Sequence, residues 1–400
     1  MPSANPKWEI RSARLGRAAA RLVERIGQRA GRIGSFWTRV TEGLAIEELG
    51  RQLASGARAS YELYSAELDW SAFEGRHGLR RNLRIGRALF WAMLMKLSPP
   101  RRLFLLVVLA WLAISLVSGS AFMVVLFSMG LLALLALELA DRVTMKRDLE
   151  IARDIQRWLV PSAPPLLEGV DIAFATRPAN TVSGDYYDAF LRAAGAPGGQ
   201  RLLLAVADVA GKSVPAALLM ATIQASLRTL AAQPATLLDL VAGLNRYASA
   251  HSLAGARFTT AFLAELDLAT LELEYVNAGH VPPVLLRASG RLERLEAGGL
   301  PLGIKPDASF ESGQIALERG DLLAILTDGV TEAENEASEE FGEARLLGLF
   351  ARPAQASAAA ALKEIMSAVD AFVGAARQHD DITALTLLLT GSTGSARFGR

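Results

Sequence analysis

The chain has 400 residues, of which 51% are hydrophobic and 21% are charged, and it contains no cysteine. This composition excludes a disordered protein, and the length allows one large domain with accessory segments. The absence of cysteine excludes disulfides and thiolate chemistry.

The first hundred residues are rich in arginine, which recurs every three or four positions between residues 11 and 32. This spacing predicts a basic amphipathic helix, which either lies on an anionic inner leaflet or packs as a solvated helix on the rest of the segment. Few aromatic residues interleave with the arginines and no reader motif is present, so nucleic-acid binding is not expected. Residues 1–100 are predicted to be a mostly helical cytoplasmic region.

Residues 103–137 carry no charged side chain. The stretch is too long for one span of about 20 residues, and Ser118-Gly119-Ser120 interrupts it, so it predicts two transmembrane helices within residues 101–140, joined as a hairpin. The alternative is a buried pair of core helices. Arginine and lysine residues flank both ends, which predicts an inner-membrane, multi-pass protein in contact with lipid, with both soluble parts in the cytoplasm.

Residues 141–165 are predicted to form a helical signalling linker. Met145, Leu149, Ala152, Ile155 and Leu159 recur at an average spacing near 3.5, typical of a seam that pairs with a second copy to form a homodimer. Packing against the chain's own domain is the alternative. Prolines at positions 161, 164 and 165 end the helix.

Residues 166–390 alternate short apolar runs with turn residues, and residues 391–400 are predicted to be a flexible tail. Residues 258–266 and 271–276 are predicted to be adjacent antiparallel strands, and residues 214–231 and 234–250 to be helices. By itself this pattern allows either a doubly wound parallel sheet or a helix-covered β-sandwich.

Four acidic motifs stand at the edges of apolar, strand-like runs. They contain Asp185 in Ser-Gly-Asp, Asp208 in Ala-Asp-Val-Ala-Gly-Lys, Asp328 in Leu-Thr-Asp-Gly, and Asp380 in His-Asp-Asp-Ile-Thr. Carboxylates placed where buried strands reach the surface commonly bind hard metal ions. Alone, each could instead be a turn or cap residue, and Asp381 could replace Asp380 as a ligand.

These motifs resemble those of the bacterial branch of the PPM (PP2C-type) serine/threonine phosphatases, the SpoIIE/RsbU-like group. Two further segments share the resemblance, Phe258-Thr259-Thr260-Ala261-Phe262 and Asn277-Ala278-Gly279-His280. Their order is kept across residues 148–390. The resemblance implies an α+β fold, an αββα sandwich of two antiparallel sheets flanked by helices.

The resemblance also implies the ligands of two divalent metal ions, Mn²⁺ or Mg²⁺: the carboxylates of Asp185, Asp208, Asp328 and Asp380 and the backbone carbonyl of Val209. Oxygen ligands suit these hard ions. Two ions could activate a water for direct attack on phosphorus. The histidines at positions 280 and 379 are further candidates as general acids, and Lys212 is a candidate phosphate contact.

The resemblance implies a metal-dependent protein serine/threonine phosphatase acting in signal transduction and sigma factor regulation. Its expected substrate is a phosphorylated STAS-domain protein, an anti-anti-sigma factor in a partner-switching pathway. A catalytically silent, membrane-bound scaffold that binds this phosphoprotein is the alternative.

Overall fold

The computed structural model describes residues 87–88, 90–91, 94–119, 121–193, 200–211, 214–251, 257–351 and 356–391. The chain divides into two compact units, Met1–Ala140 and Asp141–Arg400. The predicted N-terminal basic helix, Lys212 and nearly all of the predicted C-terminal tail lie outside the described residues.

In the first unit, helix α1 (Pro99–Ser118) packs antiparallel to the start of α2 (Ala121–Leu159). The Trp111 and Phe127 rings stack with centroids 5.8 Å apart. Val108 lies against Gly130, where a Cβ atom would come within 3.3 Å of the valine side chain. Gly119 adopts a left-handed conformation at φ 70°, which ends α1 and permits the tight turn.

Helix α2 continues without interruption for 39 residues, so the second predicted span and the predicted linker form one helix. Residues 139–159 contain no proline or glycine, and therefore nothing in the local sequence stops the helix. The helix ends at Leu159, two residues before the first proline, as predicted.

Helices α1 and α2 are long and apolar enough to cross a membrane, and α3 (Val214–Ala231) meets the same criterion. Many apolar side chains of α1 and α2 are exposed, including those of Val117 and Phe122. By contrast, α3 buries Ala216, Met220 and Leu227 in a core shared with strands of the second unit. Its apolar composition is therefore explained by packing within a domain.

In the described part of the second unit, eleven strands form two sheets. Their bounds are β1 Val170–Arg177, β2 Asp185–Ala193, β3 Gln200–Val209, β4 Thr259–Asp267, β5 Glu272–Ala278, β6 Val284–Leu286, β7 Leu292–Arg294, β8 Gly298–Gly299, β9 Gly313–Ala316, β10 Leu322–Leu326 and β11 Ile382–Leu389. One sheet has the order β1-β11-β10-β6-β7, and the other has the order β2-β3-β4-β5-β8 with β9 paired to β5. All pairs are antiparallel except β5 with β8.

The two sheets lie between two pairs of helices. Helices α3 and α4 (Leu237–Ala250) cover the sheet that contains β3, and α6 (Gly342–Phe350) and α7 (Ala358–Val373) cover the sheet that contains β11. A short helix, α5 (Asp328–Thr331), follows β10. This is the predicted αββα sandwich, and the doubly wound parallel sheet is excluded.

Side chains alternate between the two faces of each strand. Along β3, Leu202, Leu204 and Val206 lie in the core between the sheets, whereas Leu203 and Ala205 lie in the core beneath the helices. The predicted helices and the antiparallel pairing of β4 with β5 are confirmed.

Candidate active site

Asp185 and Asp208 occupy neighbouring positions on paired strands. Asp185 begins β2, Asp208 lies next to the end of β3, and the two are cross-strand partners. Since Tyr187 and Val206 lie between the sheets, strand alternation places Asp185 and Asp208 on the same face. Both acids therefore face the opposite sheet.

The opposite sheet supplies the other two predicted acids. Asp328 begins α5 immediately after β10, and Asp380 stands two residues before β11, the neighbour of β10. Gly329 packs directly on the backbone next to Asp380, because a Cβ atom on this glycine would lie 1.9 Å from the carbonyl oxygen of Asp381. The absence of a side chain there lets the two acidic turns meet.

Burial and like charge destabilise the ionised form of Asp185. Only 4% of this residue is exposed, and burial, followed by the charges of Asp208 and Asp381, raises the pKa of its carboxyl well above the usual value. Thr327 opposes this effect by donating a hydrogen bond from Oγ1 to Asp185 Oδ2 at 3.1 Å.

Asp208 experiences the combined charge of the other acids. Burial, together with the charges of Asp328, Asp380 and Asp381, raises the pKa of Asp208 to about 7. Carboxylates from both sheets thus interact electrostatically at one end of the sandwich. Such a group needs protons or a cation to compensate its charge.

Asp381 has a different environment from Asp380. Its Oδ1 accepts a hydrogen bond from Ala179 N at 2.7 Å, and its Oδ2 accepts hydrogen bonds from Ser183 Oγ and Gly184 N, both at 2.8 Å. These bonds attach the loop that precedes β2 to the start of β11. The sequence alone leaves the choice between Asp380 and Asp381 open and does not reveal this structural role of Asp381.

Ser183 connects three elements near the first acid. Its Oγ accepts a hydrogen bond from Asp185 N at 3.0 Å and donates one to Asp381. The side chain of Gln156 on α2 binds both backbone groups of Ser183, at 2.8 Å to its carbonyl oxygen and 3.1 Å to its nitrogen. The turn that carries Asp185 is therefore fixed from two sides.

Gly184 permits a close approach between this turn and β3. A Cβ atom at Gly184 would lie 3.2 Å from the Val209 carbonyl oxygen and 3.6 Å from Asp208 Oδ1. The predicted carbonyl ligand, Val209, and the predicted carboxylate ligand, Asp208, therefore border the same glycine.

The two histidines differ in burial. His280 is buried, and its Nδ1 lies 3.1 Å from Oγ1 of Thr260, the strand partner of Asp208. Burial lowers the pKa of His280 to about 4, and the Leu326 backbone opposes part of this effect. The Nε2 atom of His280 makes no direct hydrogen bond to the described residues. A buried, neutral imidazole does not suit a general acid that must reach a substrate. His379 is exposed.

Asp188 lies on the opposite face of β2 from Asp185. It is fully buried and accepts two hydrogen bonds from Arg228 on α3, each 2.7 Å long, and one from Tyr186 Oη at 2.6 Å. Asp188 therefore connects β2 to a covering helix and takes no part in the acidic site.

The donor set fits a hard divalent cation. It consists of carboxylates and a carbonyl, the ligand types that Mg²⁺ and Mn²⁺ prefer. Within the described residues, no three Asp, Glu, His or Cys side chains converge into a ready-made metal cluster. The fit therefore rests on donor chemistry and on the like charges that raise the pKa of Asp208.

The chain is similar to a family profile and to two curated proteins. A sequence profile described as Stage II sporulation protein E (SpoIIE) matches residues 198–389. The phosphoserine phosphatase RsbU of Bacillus subtilis is 32% identical over 193 residues, covering 48% of this chain and 56% of RsbU. Protein IcfG of Synechocystis sp. is 30% identical over 240 residues, covering 54% of this chain and 37% of IcfG.

A solved structure supports the fold. The SiaA-PP2C domain of Pseudomonas aeruginosa has a TM-score of 0.53 and 23% identity, covering 62% of this chain and 98% of that domain. The two sheets with their covering helices therefore have the PP2C-type fold. More particularly, residues 198–389, just under half of the chain, match the SpoIIE-type PP2C phosphatase domain. The matched part of this chain spans 37% of the length of IcfG and 56% of the length of RsbU.

Proposed function

We propose that this protein is a metal-dependent serine/threonine phosphatase that removes phosphate from a cytoplasmic signalling protein. One observation carries the proposal: both sheets direct carboxylates to the same end of the sandwich, where burial and mutual repulsion raise the pKa of Asp185 and Asp208. Repulsion of this kind is costly for stability and is relieved when cations bind.

The residues that would hold two Mn²⁺ or Mg²⁺ ions are the carboxylates of Asp185, Asp208, Asp328 and Asp380 and the Val209 carbonyl. When bound, such ions supply the positive charge that lowers the pKa of a water and neutralises phosphoryl oxygens. Asp208 is proposed as the acid shared by both ions. Ser183 and Asp381 keep the turn that carries Asp185 in place.

The proposed substrate is a phosphoserine or phosphothreonine on a STAS-domain, anti-anti-sigma-like protein. The name of RsbU as a phosphoserine phosphatase supports a phosphoserine substrate. Removing the phosphate takes away about two negative charges at pH 7 and can change which partner the substrate binds.

The proposed location is the inner membrane. The exposed apolar surfaces of α1 and the first half of α2 support two spans, with residues 1–100 and the phosphatase domain of residues 166–390 in the cytoplasm. Residues 141–165 would form the signalling linker. On this linker the side chains of Ile151 and Ile155 are about half exposed, which supports a homodimer through α2.

The decisive experiment uses the full-length chain in detergent with a phosphoserine STAS-domain protein. We expect phosphate release that requires Mn²⁺ and is lost in Asp208→Asn. The matched variant Asp267→Asn, at the end of β4 remote from the acids, should retain it. If the wild type binds the phosphoprotein tightly without releasing phosphate, the protein is a scaffold and the proposal fails.

A second comparison tests the identity of the last ligand. Asp380→Asn should raise the Mn²⁺ concentration needed for half-maximal activity at least tenfold. It should leave the melting temperature of the metal-free protein unchanged or higher, because it removes one of the charges that repel Asp208. Asp381→Ala should mainly lower stability, by about 2–3 kcal/mol, because it leaves three hydrogen-bond donors without their acceptor. If Asp381→Ala mainly raised the Mn²⁺ requirement and Asp380→Asn mainly lowered stability, Asp381 would be the metal ligand.

A further inference from the structure

Exposed apolar side chains of the phosphatase domain concentrate in one place. Among the described residues after position 166, the large apolar side chains that are more than a third exposed are those of Val214, Leu218, Phe258, Leu300 and Ile304, at 38%, 63%, 40%, 49% and 48%. We refer to these five residues as the apolar rim.

All five lie on segments next to the turn formed by residues 208–211. Val214 and Leu218 share one face of the first turns of α3, which begins three residues after Gly211. The carbonyl oxygen of Phe258 accepts a hydrogen bond from Ala210 N at 2.8 Å. The apolar rim is therefore continuous with the turn that carries Asp208.

The loop that carries Leu300 and Ile304 is held firmly. Between them, Leu302 is buried and pairs with Thr259 through two backbone hydrogen bonds of 2.8 and 2.9 Å. The buried Asn245 side chain binds Gly303 N at 3.1 Å and the Lys305 carbonyl oxygen at 2.8 Å. An exposed apolar surface that is already ordered loses little conformational entropy when a partner covers it.

A positive charge lies beside the rim. Arg257 Nη1 donates a hydrogen bond to the Ala210 carbonyl oxygen at 3.0 Å, and its guanidinium occupies the space that a side chain at Gly211 would need. Within the described residues, Arg257 forms no ion pair. Its charge is available to an anionic partner.

We infer that the apolar rim is the docking surface for the protein substrate, a folded phosphoprotein with an apolar patch next to its phosphorylated residue. This inference rests on the proposed function. A phosphate that reaches the acids brings its own protein surface over the rim, and the Arg257 charge complements the phosphate. Burial of apolar surface would supply affinity that the phosphate alone cannot supply.

The test compares two substrates on the full-length chain with Mn²⁺: p-nitrophenyl phosphate, which is too small to cover the rim, and a phosphoserine STAS-domain protein. In the double variant Leu218→Gln/Leu300→Gln, the ratio of kcat/KM for the phosphoprotein to that for the small ester should fall at least about tenfold. Leu166→Gln, at a fully exposed leucine outside the rim, should keep the wild-type ratio.

Binding is measured separately in the Asp208→Asn background, where the same double substitution should raise the Kd for the phosphoprotein about tenfold. This measurement tests docking even if no turnover occurs. A failure of the phosphatase proposal can therefore be distinguished from a failure of the docking inference. An unchanged ratio and Kd, or an equal loss on both substrates, would overturn the inference. A change confined to self-association or to binding of phosphatidylglycerol vesicles would assign the rim to a second copy or to the membrane instead.

Discussion

Replacing Asp208 with asparagine is expected to stabilise the metal-free protein at pH 8 while removing its phosphatase activity. In the folded protein, burial and the charges of Asp328, Asp380 and Asp381 raise the pKa of Asp208 to about 7. In the unfolded chain an aspartate titrates near 4. The folded state therefore holds the proton more tightly, and this contribution to stability is lost as pH rises from about 4 through about 7.

The size of the effect follows from the pKa difference. A difference of about three in pKa corresponds to about 4 kcal/mol, which is an upper bound. Asp208 is partly accessible to solvent, so water screens part of the repulsion and about 2 kcal/mol is a better expectation. For a domain of this size that corresponds to a rise in melting temperature of about 4–8 °C.

The assay is thermal unfolding of the full-length chain in detergent with EDTA, at pH 5 and pH 8. The wild type should be less stable at pH 8 than at pH 5, and Asp208→Asn should reduce that difference. Part of the difference should remain, because burial also raises the pKa of Asp185. Adding Mn²⁺ should raise the melting temperature of the wild type at pH 8 and have little effect on that of the variant.

Asp267→Asn is the matched control, because the pKa of Asp267 is lowered whereas that of Asp208 is raised. Asp267 Oδ1 accepts hydrogen bonds from Ala269 N at 2.9 Å and Thr270 N at 3.1 Å, and these bonds lower the pKa of Asp267. Its replacement should leave stability at pH 8 unchanged or reduced. If Asp208→Asn lowers the metal-free melting temperature at pH 8, the reasoning about like-charge repulsion is wrong.

Two further predictions concern the scaffold of the site. Asp188→Ala should lower the free energy of unfolding by about 3 kcal/mol, measured by urea denaturation, because it leaves Arg228 without its buried partner. Glu343→Ala, which breaks a partly exposed ion pair with Arg294, should cost less than about 1 kcal/mol, and equal losses would contradict this account. Gly329→Ala should cost about 1–3 kcal/mol and reduce activity, because its Cβ would overlap the backbone between the acidic turns, whereas Gly348→Ala, in open space on α6, should be neutral or stabilising by up to about 1 kcal/mol; a harmless Gly329→Ala would refute the close approach.

Local sequence patterns were sufficient for several of the elements. The apolar stretch, its central Ser-Gly-Ser and the later prolines predicted α1, α2 and the end of α2 at Leu159, since helix formation depends on residues a few positions apart. The period of apolar residues predicted α3, and the strand pattern predicted the pairing of β4 with β5. The sandwich itself was predicted from the resemblance to a family, because strand patterns alone are compatible with both a parallel and an antiparallel sheet.

The sequence by itself determined which acids are candidates, because a carboxylate at the edge of an apolar run is visible in the local pattern. Only the tertiary structure decided that Asp185 faces the other sheet while Asp188 faces a helix, since alternation separates the two faces without saying what covers each. Likewise, only the fold gave Asp381 hydrogen-bond partners about 200 positions away and gathered the apolar rim from three distant segments around one turn. Such contacts depend on how layers pack, and that information is spread over the whole chain.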